Sequence, residues 1–161
     1  GLYGETGRLR RAERSFRKSL ALHRSLGNAA FEGSVLCGLA TVFADTGRFE
    51  EAERCFAESP ACVRATGNRR LEGEVQVNLA TVYADTGRKD LAEQAFLNAL
   101  VPLRETNSRR FEGVALGELA GLYAARGRLD LAESHYRKAL RIHRDALRSA
   151  CPFHFERVGN T

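Results

Sequence analysis

The segment from Leu36 to Phe56 reads LCGLATVFADTGRFEEAERCF. Two further segments, QVNLATVYADTGRKDLAEQAF at residues 76–96 and LGELAGLYAARGRLDLAESHY at residues 116–136, follow the same pattern at intervals of 40 residues. A partial copy precedes them, with Gly7 in the place of Gly47. Fixed spacing of this kind is the sequence signature of a repeat architecture. The sequence therefore predicts an array of similar units stacked side by side.

Each unit predicts a pair of helices joined by a short turn. The first helix has apolar residues at positions i, i+3, i+4 and i+7 of one stripe, namely Leu36, Leu39, Ala40 and Phe43. Gly47 is predicted to end this helix, because a residue after the last turn commonly adopts a left-handed conformation that glycine tolerates. In the second helix, Ala132 lets two helices approach closely and Tyr136 fills the space beside it.

Turn and breaker residues mark where helices are predicted to end. Polar links between successive pairs are expected at Gly27-Asn28, Gly67-Asn68 and Asn107-Ser108. Pro60 and Pro102 lie inside second helices, where a proline removes one backbone hydrogen bond and costs about 3 kcal/mol or more. We predict a bend or an early helix end at both prolines. The array is predicted to begin inside a first helix that ends at Gly7.

The pattern Leu-Ala-x-x-Tyr/Phe, then Gly, then Ala-x-x-x-Phe/Tyr resembles the tetratricopeptide repeat, and the resemblance covers nearly the whole chain. The usual period of that family is about 34 residues, so a longer unit implies longer helices. The resemblance implies an all-α, right-handed superhelical solenoid of antiparallel helix pairs. We expect a partial repeat at residues 1–32, repeats at 33–72, 73–112 and 113–150, and an atypical C-terminal tail at 151–161.

Composition gives no sign of a membrane segment or of a disulfide framework. No apolar run approaches the roughly 20 residues that a membrane-spanning helix needs. The cysteines, Cys37, Cys55, Cys62 and Cys151, lack CxxC spacing. We expect them to be reduced and the compartment to be cytoplasmic. Because the sequence contains no methionine, we expect that Gly1 is not the translated start and that the chain is part of a larger regulatory protein.

No residue pattern indicates an enzyme, a metal centre or a cofactor site. His135 and His143 lack both the spacing and the glutamate of an HExxH site. Gly1, Gly4 and Gly7 have neither the preceding strand nor the Lys-Ser/Thr of a phosphate loop. No Ser-His-Asp or Cys-His arrangement can be ordered from the chain. We therefore expect no catalysis, no metal and no cofactor.

The resemblance implies a concave groove, lined by first helices on the side opposite the core of each pair. The positions in register are Ser34, Cys37, Gly38, Thr41 and Asp45; Glu74, Val77, Asn78, Thr81 and Asp85; and Val114, Gly117, Glu118, Gly121 and Ala125. This set contains carboxylates but neither lysine nor arginine, which favours a protein segment with basic residues as the ligand. The resemblance also implies that Asn78 pairs with a bound peptide backbone, and Gly117 and Gly121 would allow close backbone access.

The predicted function is a protein-protein interaction module, and several alternatives remain open. The groove could bind nothing and simply space neighbouring domains. It could also hold a segment of the same parent protein, which would make the array an intramolecular regulatory module. Because the ends of a solenoid leave apolar surface uncovered, some end-to-end self-association is also predicted.

Nucleic-acid contact is the alternative of another class. The net charge is +5, and arginines form stripes on the second helices: Arg10, Arg14, Arg17 and Arg24, then Arg137, Arg141, Arg144 and Arg148. Nearby carboxylates could neutralise them, at Glu13, Glu53, Glu93 and Glu133. The aromatic residues lie at core positions, whereas single-stranded nucleic acid needs them among the basic residues. Solvated ion pairs are therefore the favoured interpretation.

Overall fold

The computed structural model describes residues 2–65 and 67–150, and within them it contains seven helices and no strand. In chain order these are α1 (Leu2–Ser25), α2 (Ala29–Asp45), α3 (Phe49–Ala65), α4 (Arg69–Asp85), α5 (Lys89–Glu105), α6 (Arg109–Ala125) and α7 (Leu129–Ala150). Helices α2 and α3, α4 and α5, and α6 and α7 form three successive pairs, and α1 packs on the first of them. The predicted all-α solenoid of antiparallel helix pairs is confirmed.

Left-handed residues end the helices at the predicted turns. Gly47 has a φ of 74° and Gly87 a φ of 77°. After α2, the Gly47 amide donates to the Ala44 carbonyl at 2.9 Å and the Arg48 amide donates to the Phe43 carbonyl at 2.8 Å. These two bonds satisfy carbonyl groups that the end of a helix leaves without partners. The next helix can therefore start after only three intervening residues.

The prediction for Gly7 is wrong, because α1 runs from Leu2 to Ser25 without a break. At the other repeat glycines the helix that ends is 17 residues long and packs along a partner. A glycine inside a helix costs only about 1 kcal/mol relative to alanine, so Gly7 does not end α1 by itself. The residues before Gly7 instead extend the following helix, and Gly7 lies inside it.

The predicted early helix end at the prolines is also wrong. Helix α5 continues through Pro102 to Glu105, and α3 continues through residue 60 to Ala65. The Pro102 carbonyl accepts from the Thr106 amide at 3.1 Å and from the Thr106 hydroxyl at 2.8 Å. Pro102 is itself buried, beside Leu103. Packing of this face on the neighbouring helices offsets the one backbone hydrogen bond that proline removes.

The core extends along the array as two clusters of buried side chains. One cluster contains Phe43, Phe56 and Val75, and the other contains Phe96, Leu116 and further residues of α4, α5, α6 and α7. Contacts within each pair are more extensive than contacts between successive pairs. None of the described helices has the length and apolarity needed to cross a bilayer. The proposed tail at 151–161, with Cys151 and His154, and the Cys62 side chain lie outside the described residues.

Candidate functional site

A cleft of about 170 Å³ opens between the C-terminal halves of α2 and α4. Its lining residues are Thr41, Ala44, Asp45, Phe56, Asn78, Thr81, Val82 and Asp85. We call this site the α2–α4 cleft. Five of the residues predicted for the groove come together here, because equivalent positions of two successive first helices face the same space. They are Thr41, Asp45, Asn78, Thr81 and Asp85.

Hydrogen-bond acceptors dominate the polar lining of this cleft. Asp45 and Asp85 are both exposed, and each contributes a carboxylate. The Thr41 hydroxyl donates to the Cys37 carbonyl at 3.0 Å, and the Thr81 hydroxyl makes the same bond to the helix turn before it at 3.1 Å. Because each hydroxyl proton is used within its own helix, the oxygen lone pairs remain for a donor in the cleft. Within the described part of the chain, no lysine or arginine lines the cleft.

Asn78 is a half-buried residue of the cleft lining and links the two first helices. Its amide Nδ2 lies 3.6 Å from the Cys37 Sγ, in donor geometry. Burial raises the pKa of the Cys37 thiol, while the Asn78 contact has a smaller opposing effect. Among the described residues, no other hydrogen bond is made by the Asn78 side chain. Its Oδ1 atom is therefore one more acceptor for a ligand.

Two predicted groove residues are not accessible. Val77 is 1% exposed and belongs to the core, and Cys37 is also buried. The expectation that these side chains line an open groove is therefore wrong. Residues 37 and 77 occupy equivalent positions in successive repeats. Both side chains point to the contact between neighbouring first helices, where close packing excludes a ligand.

The other predicted groove residues lie outside the α2–α4 cleft. Glu74 is paired with Arg70 at 2.9 Å. Gly38 lies beneath the Phe16 ring, so that a Cβ at residue 38 would come within 2.6 Å of the ring. The remainder are exposed or half-buried positions on α2 and α6 that do not line the cleft: Ser34, Val114, Gly117, Glu118, Gly121 and Ala125.

Three apolar residues of the cleft were missed by the sequence analysis. Ala44 and Val82 belong to the first helices, and Phe56 reaches the cleft from α3. Phe56 is one of the repeated aromatics that were assigned to the core, and it is indeed almost fully buried. The repeat spacing could have identified Phe56 as a cleft residue, because it places this aromatic residue of α3 between α2 and α4.

Arginines outside the cleft mostly pair with carboxylates. The Glu13 carboxylate accepts from Arg17 of its own helix at 2.9 Å. It also accepts from Arg48, which lies in the turn between α2 and α3, at 3.0 Å. Arg88 likewise pairs with Glu53 at 2.8 Å. The remaining predicted partners also pair, Glu93 with Arg126 and Glu133 with Arg137. Three arginines of the predicted stripes thus have carboxylate partners, namely Arg17, Arg24 and Arg137, while Glu53 and Glu93 pair with arginines of the turns instead. Within residues 2–65 and 67–150, no group of three or more His, Cys, Asp and Glu side chains could hold a metal ion.

Comparison with known proteins identifies the repeat. One family model described as tetratricopeptide repeat matches residues 1–65 and 31–100, and a second of the same description matches residues 114–152. A search of curated protein sequences found no significant match. The crystal structure of BtubC (BKLC) from P. vanneervenii resembles the fold, with a TM-score of 0.77 at 21% sequence identity. That match covers 99% of this chain and 66% of BtubC, so the chain spans slightly less than two thirds of its length. The chain belongs to the tetratricopeptide repeat family.

Proposed function

We propose that this chain is a protein-interaction module whose α2–α4 cleft binds a basic segment of a partner protein. Tetratricopeptide repeats suggest a scaffold for protein-protein contacts, and the cleft gives that role a location and a chemistry. The observation that carries the proposal is the polar lining. Two carboxylates, two hydroxyl oxygens and one amide oxygen belong to the residues that line this space, and none of the described residues brings a basic side chain into it.

An arginine or lysine side chain complements this lining. Each supplies several N–H donors and a positive charge, whereas the cleft supplies acceptors and negative charge. Asp45 and Asp85 occupy the same place in successive repeats and flank the opening. The half-buried Ala44, with the almost fully buried Phe56 and Val82 behind it, forms a small apolar floor beside the methylene groups of such a side chain. A ligand of this kind would be held by charge-assisted hydrogen bonds, with its stem packed on the floor.

Binding of arginine-containing peptides tests the proposal. A fluorescein-labelled peptide library with one or two arginines in an otherwise neutral sequence is titrated with the chain, and fluorescence anisotropy gives the dissociation constant. We expect saturable binding that weakens at least tenfold in the Asp45→Asn/Asp85→Asn double variant, because charged pairs at an interface contribute about 1.5 kcal/mol or more. Asn78→Ala should weaken binding without changing its salt dependence.

The Asp90→Asn/Asp130→Asn double variant is the matched control. It removes the same charge from the first turns of α5 and α7, outside the cleft. Binding should be retained in this control. Equal weakening in both double variants would show that net charge alone attracts the peptide, and no saturable binding to any library member would reject the basic-ligand proposal.

The source of the ligand is a second question for the same assay. A partner protein and another segment of the same parent protein present identical chemistry to the cleft. Peptides from the parent sequence that compete with library members would favour intramolecular regulation, whereas competition only by other proteins would favour an adaptor. Cytoplasmic localisation, self-association through the repeat ends and the absence of nucleic-acid binding stay predictions.

A further inference from the structure

Glu118 occupies the position in α6 that Asn78 occupies in α4. The Asn78 side chain contacts Cys37 of the preceding first helix, with its Nδ2 atom 3.6 Å from the Sγ atom. The repeats share one register, and α4 contacts α6 as α2 contacts α4, so the exposed Glu118 side chain borders α4. The polar surface of the cleft therefore continues across α4 to a further carboxylate.

The contact between α4 and α6 has the carboxylates of the cleft with one of them moved. Asp85 borders this contact from α4, as Asp45 borders the cleft from α2. On the α6 side, Ala125 stands at the position that Asp85 has in the cleft, so a carboxylate is missing there. Glu118, about two helical turns earlier, provides one instead. Both contacts between successive first helices are therefore bordered by a carboxylate from each side.

The carboxylates of α2, α4 and α6 divide into a paired group and an unpaired group. Each glutamate of the paired group accepts from an arginine: Glu32, Glu72, Glu74 and Glu112. Within the described part of the chain, no ion pair is found for Asp45, Asp85 or Glu118. The unpaired group consists of the two cleft aspartates and the carboxylate that continues from them. Its negative charge is therefore available to a ligand.

Gly121 leaves room for a ligand main chain beside Glu118. Residue 121 lies three positions after residue 118, on the same face of α6. Among the described residues, the nearest neighbour of a Cβ added at Gly121 would be the Tyr136 hydroxyl at 3.8 Å, which is an ordinary contact distance. The equivalent residue of α4 is Thr81, so α6 presents bare backbone where α4 presents a side chain.

The separation of the first helices sets the spacing of two basic side chains on one ligand. Helices that pack on one another lie about 8–10 Å apart. A polyproline II segment rises about 3.1 Å per residue with roughly three residues per turn, so residues i and i+3 lie on one side of it, about 9 Å apart. In a β-strand, residues on one side are about 7 or 13 Å apart, which matches the helix separation less well.

We propose that the ligand of the α2–α4 cleft is a polyproline II segment with two basic residues three positions apart, and that Glu118 binds the second of them. The first basic side chain enters the cleft between Asp45 and Asp85. The ligand main chain crosses α4, and the second basic side chain pairs with Glu118 beside Gly121. This inference rests on the proposed function of the cleft, and it adds a second contact and a fixed charge spacing.

Proline-rich peptides of equal length test the spacing. Each carries a fluorescein label and either one arginine or two arginines with one to five residues between them, and fluorescence anisotropy gives the dissociation constants. We expect Arg-Pro-Pro-Arg to bind about two- to fivefold more tightly than the peptide whose second arginine is glutamine, because an exposed ion pair contributes that much. The other spacings should give a smaller gain.

Variants of residue 118 test the second contact. Glu118→Gln should abolish the gain from the second arginine and leave binding of the single-arginine peptide unchanged. Glu74→Gln is the matched control and should keep the gain, because it removes the same charge from the neighbouring first helix, where Glu74 already pairs with Arg70 at 2.9 Å. Glu118→Arg should reverse the preference, so that Arg-Pro-Pro-Glu binds this variant more tightly than Arg-Pro-Pro-Arg does. Residue 118 is exposed, so both of its variants should fold.

Three results would overturn the inference. They are a gain that is equal at all spacings, a gain that persists in Glu118→Gln, and no gain from a second arginine at any spacing. In each of these cases, saturable binding of the single-arginine peptide that depends on Asp45 and Asp85 would leave the cleft proposal standing. Absence of binding by every peptide would reject the cleft proposal, and this inference with it.

Discussion

Gly73 of α4 lies directly against Leu103 of α5, so that a Cβ at residue 73 would stand 2.7 Å from the Leu103 Cγ and 3.3 Å from its backbone nitrogen. Leu103 is fully buried and has no room to move away. Gly73→Ala should therefore lower the free energy of unfolding by about 1–3 kcal/mol through overpacking. Urea unfolding followed by circular dichroism would measure the change.

The control for this substitution is another glycine inside a first helix. Nothing lies within 4 Å of a Cβ added at Gly117. Because alanine has a higher helix propensity than glycine, Gly117→Ala should raise the free energy of unfolding by about 0.5–1 kcal/mol. If both variants shifted the urea midpoint in the same direction, the close contact between Gly73 and Leu103 would not control stability.

Asn107 occupies a turn position that glycine fills in the other repeats. It has a φ of 52°, while Gly67 has a φ of 65°. Left-handed backbone is strained for residues with a Cβ, although asparagine tolerates it better than most. We expect Asn107→Gly to stabilise the chain and Gly67→Asn to destabilise it, each by about 0.5–1 kcal/mol. Thermal unfolding of the two variants would check this, and changes of the same sign would contradict it.

The buried Cys37 thiol should react slowly and should make stability depend on alkaline pH. Burial raises its pKa above the unfolded value of about 8.5. A raised folded pKa gives stability that is fully present below the unfolded pKa and is lost as the pH rises through the folded pKa. The free energy of unfolding should therefore fall above about pH 8.5, and less steeply in Cys37→Ala.

Iodoacetamide labelling with peptide mass spectrometry provides a direct test of Cys37. Cys55, which is half-buried, should be labelled faster than Cys37 in the folded chain. The two rates should become similar in concentrated urea. Equal rates in the folded chain would mean that Cys37 is not shielded by the packing of α2 on its neighbours.

Glu112 should contribute more to stability than an exposed glutamate in a similar pair. Its buried carboxylate accepts from Arg104 at 3.0 Å and lies 3.3 Å from Arg109. Because both arginines are about half exposed, we expect Glu112→Gln to cost about 1–2 kcal/mol, less than for a fully buried pair. Glu105, which pairs with Arg69 at 2.8 Å, is half exposed and serves as the control. Glu105→Gln should cost less than about 1 kcal/mol in urea unfolding. Equal costs would contradict the role given to burial.

Repeat spacing predicts much of the fold, because the spacing can be read from the sequence without knowing how individual side chains pack. The turns at Gly47 and Gly87 follow from the ability of glycine to adopt left-handed backbone angles. Asp45 and Asp85 line the same cleft because they occupy equivalent positions in adjacent repeats. Whether a given position faces the cleft depends on the rotation of each helix about its axis. One residue corresponds to about 100° of rotation in a helix of 3.6 residues per turn, so Val77 lies in the core while Asn78 lines the cleft.

Tertiary packing decides the features that local rules misassign. Pro102 ends no helix, because the buried residues around it hold α5 to its neighbours. Gly7 ends no helix, since a glycine inside a helix costs only about 1 kcal/mol and does not break it by itself. The sequence did contain a signal for the close helix contact. Gly33, Gly73 and Gly113 recur at the repeat interval in the second turn of their helices, where glycine has no advantage unless space is short.

The unequal packing within and between helix pairs has a mechanical consequence. Each pair is held by an extensive shared core, while successive pairs meet along narrower seams. A pulling force along the array would therefore open the seams before it separates the helices of a pair. We expect each helix pair to move as a rigid unit while the contacts between pairs deform. Tension between the ends of the chain would therefore change the width of the α2–α4 cleft.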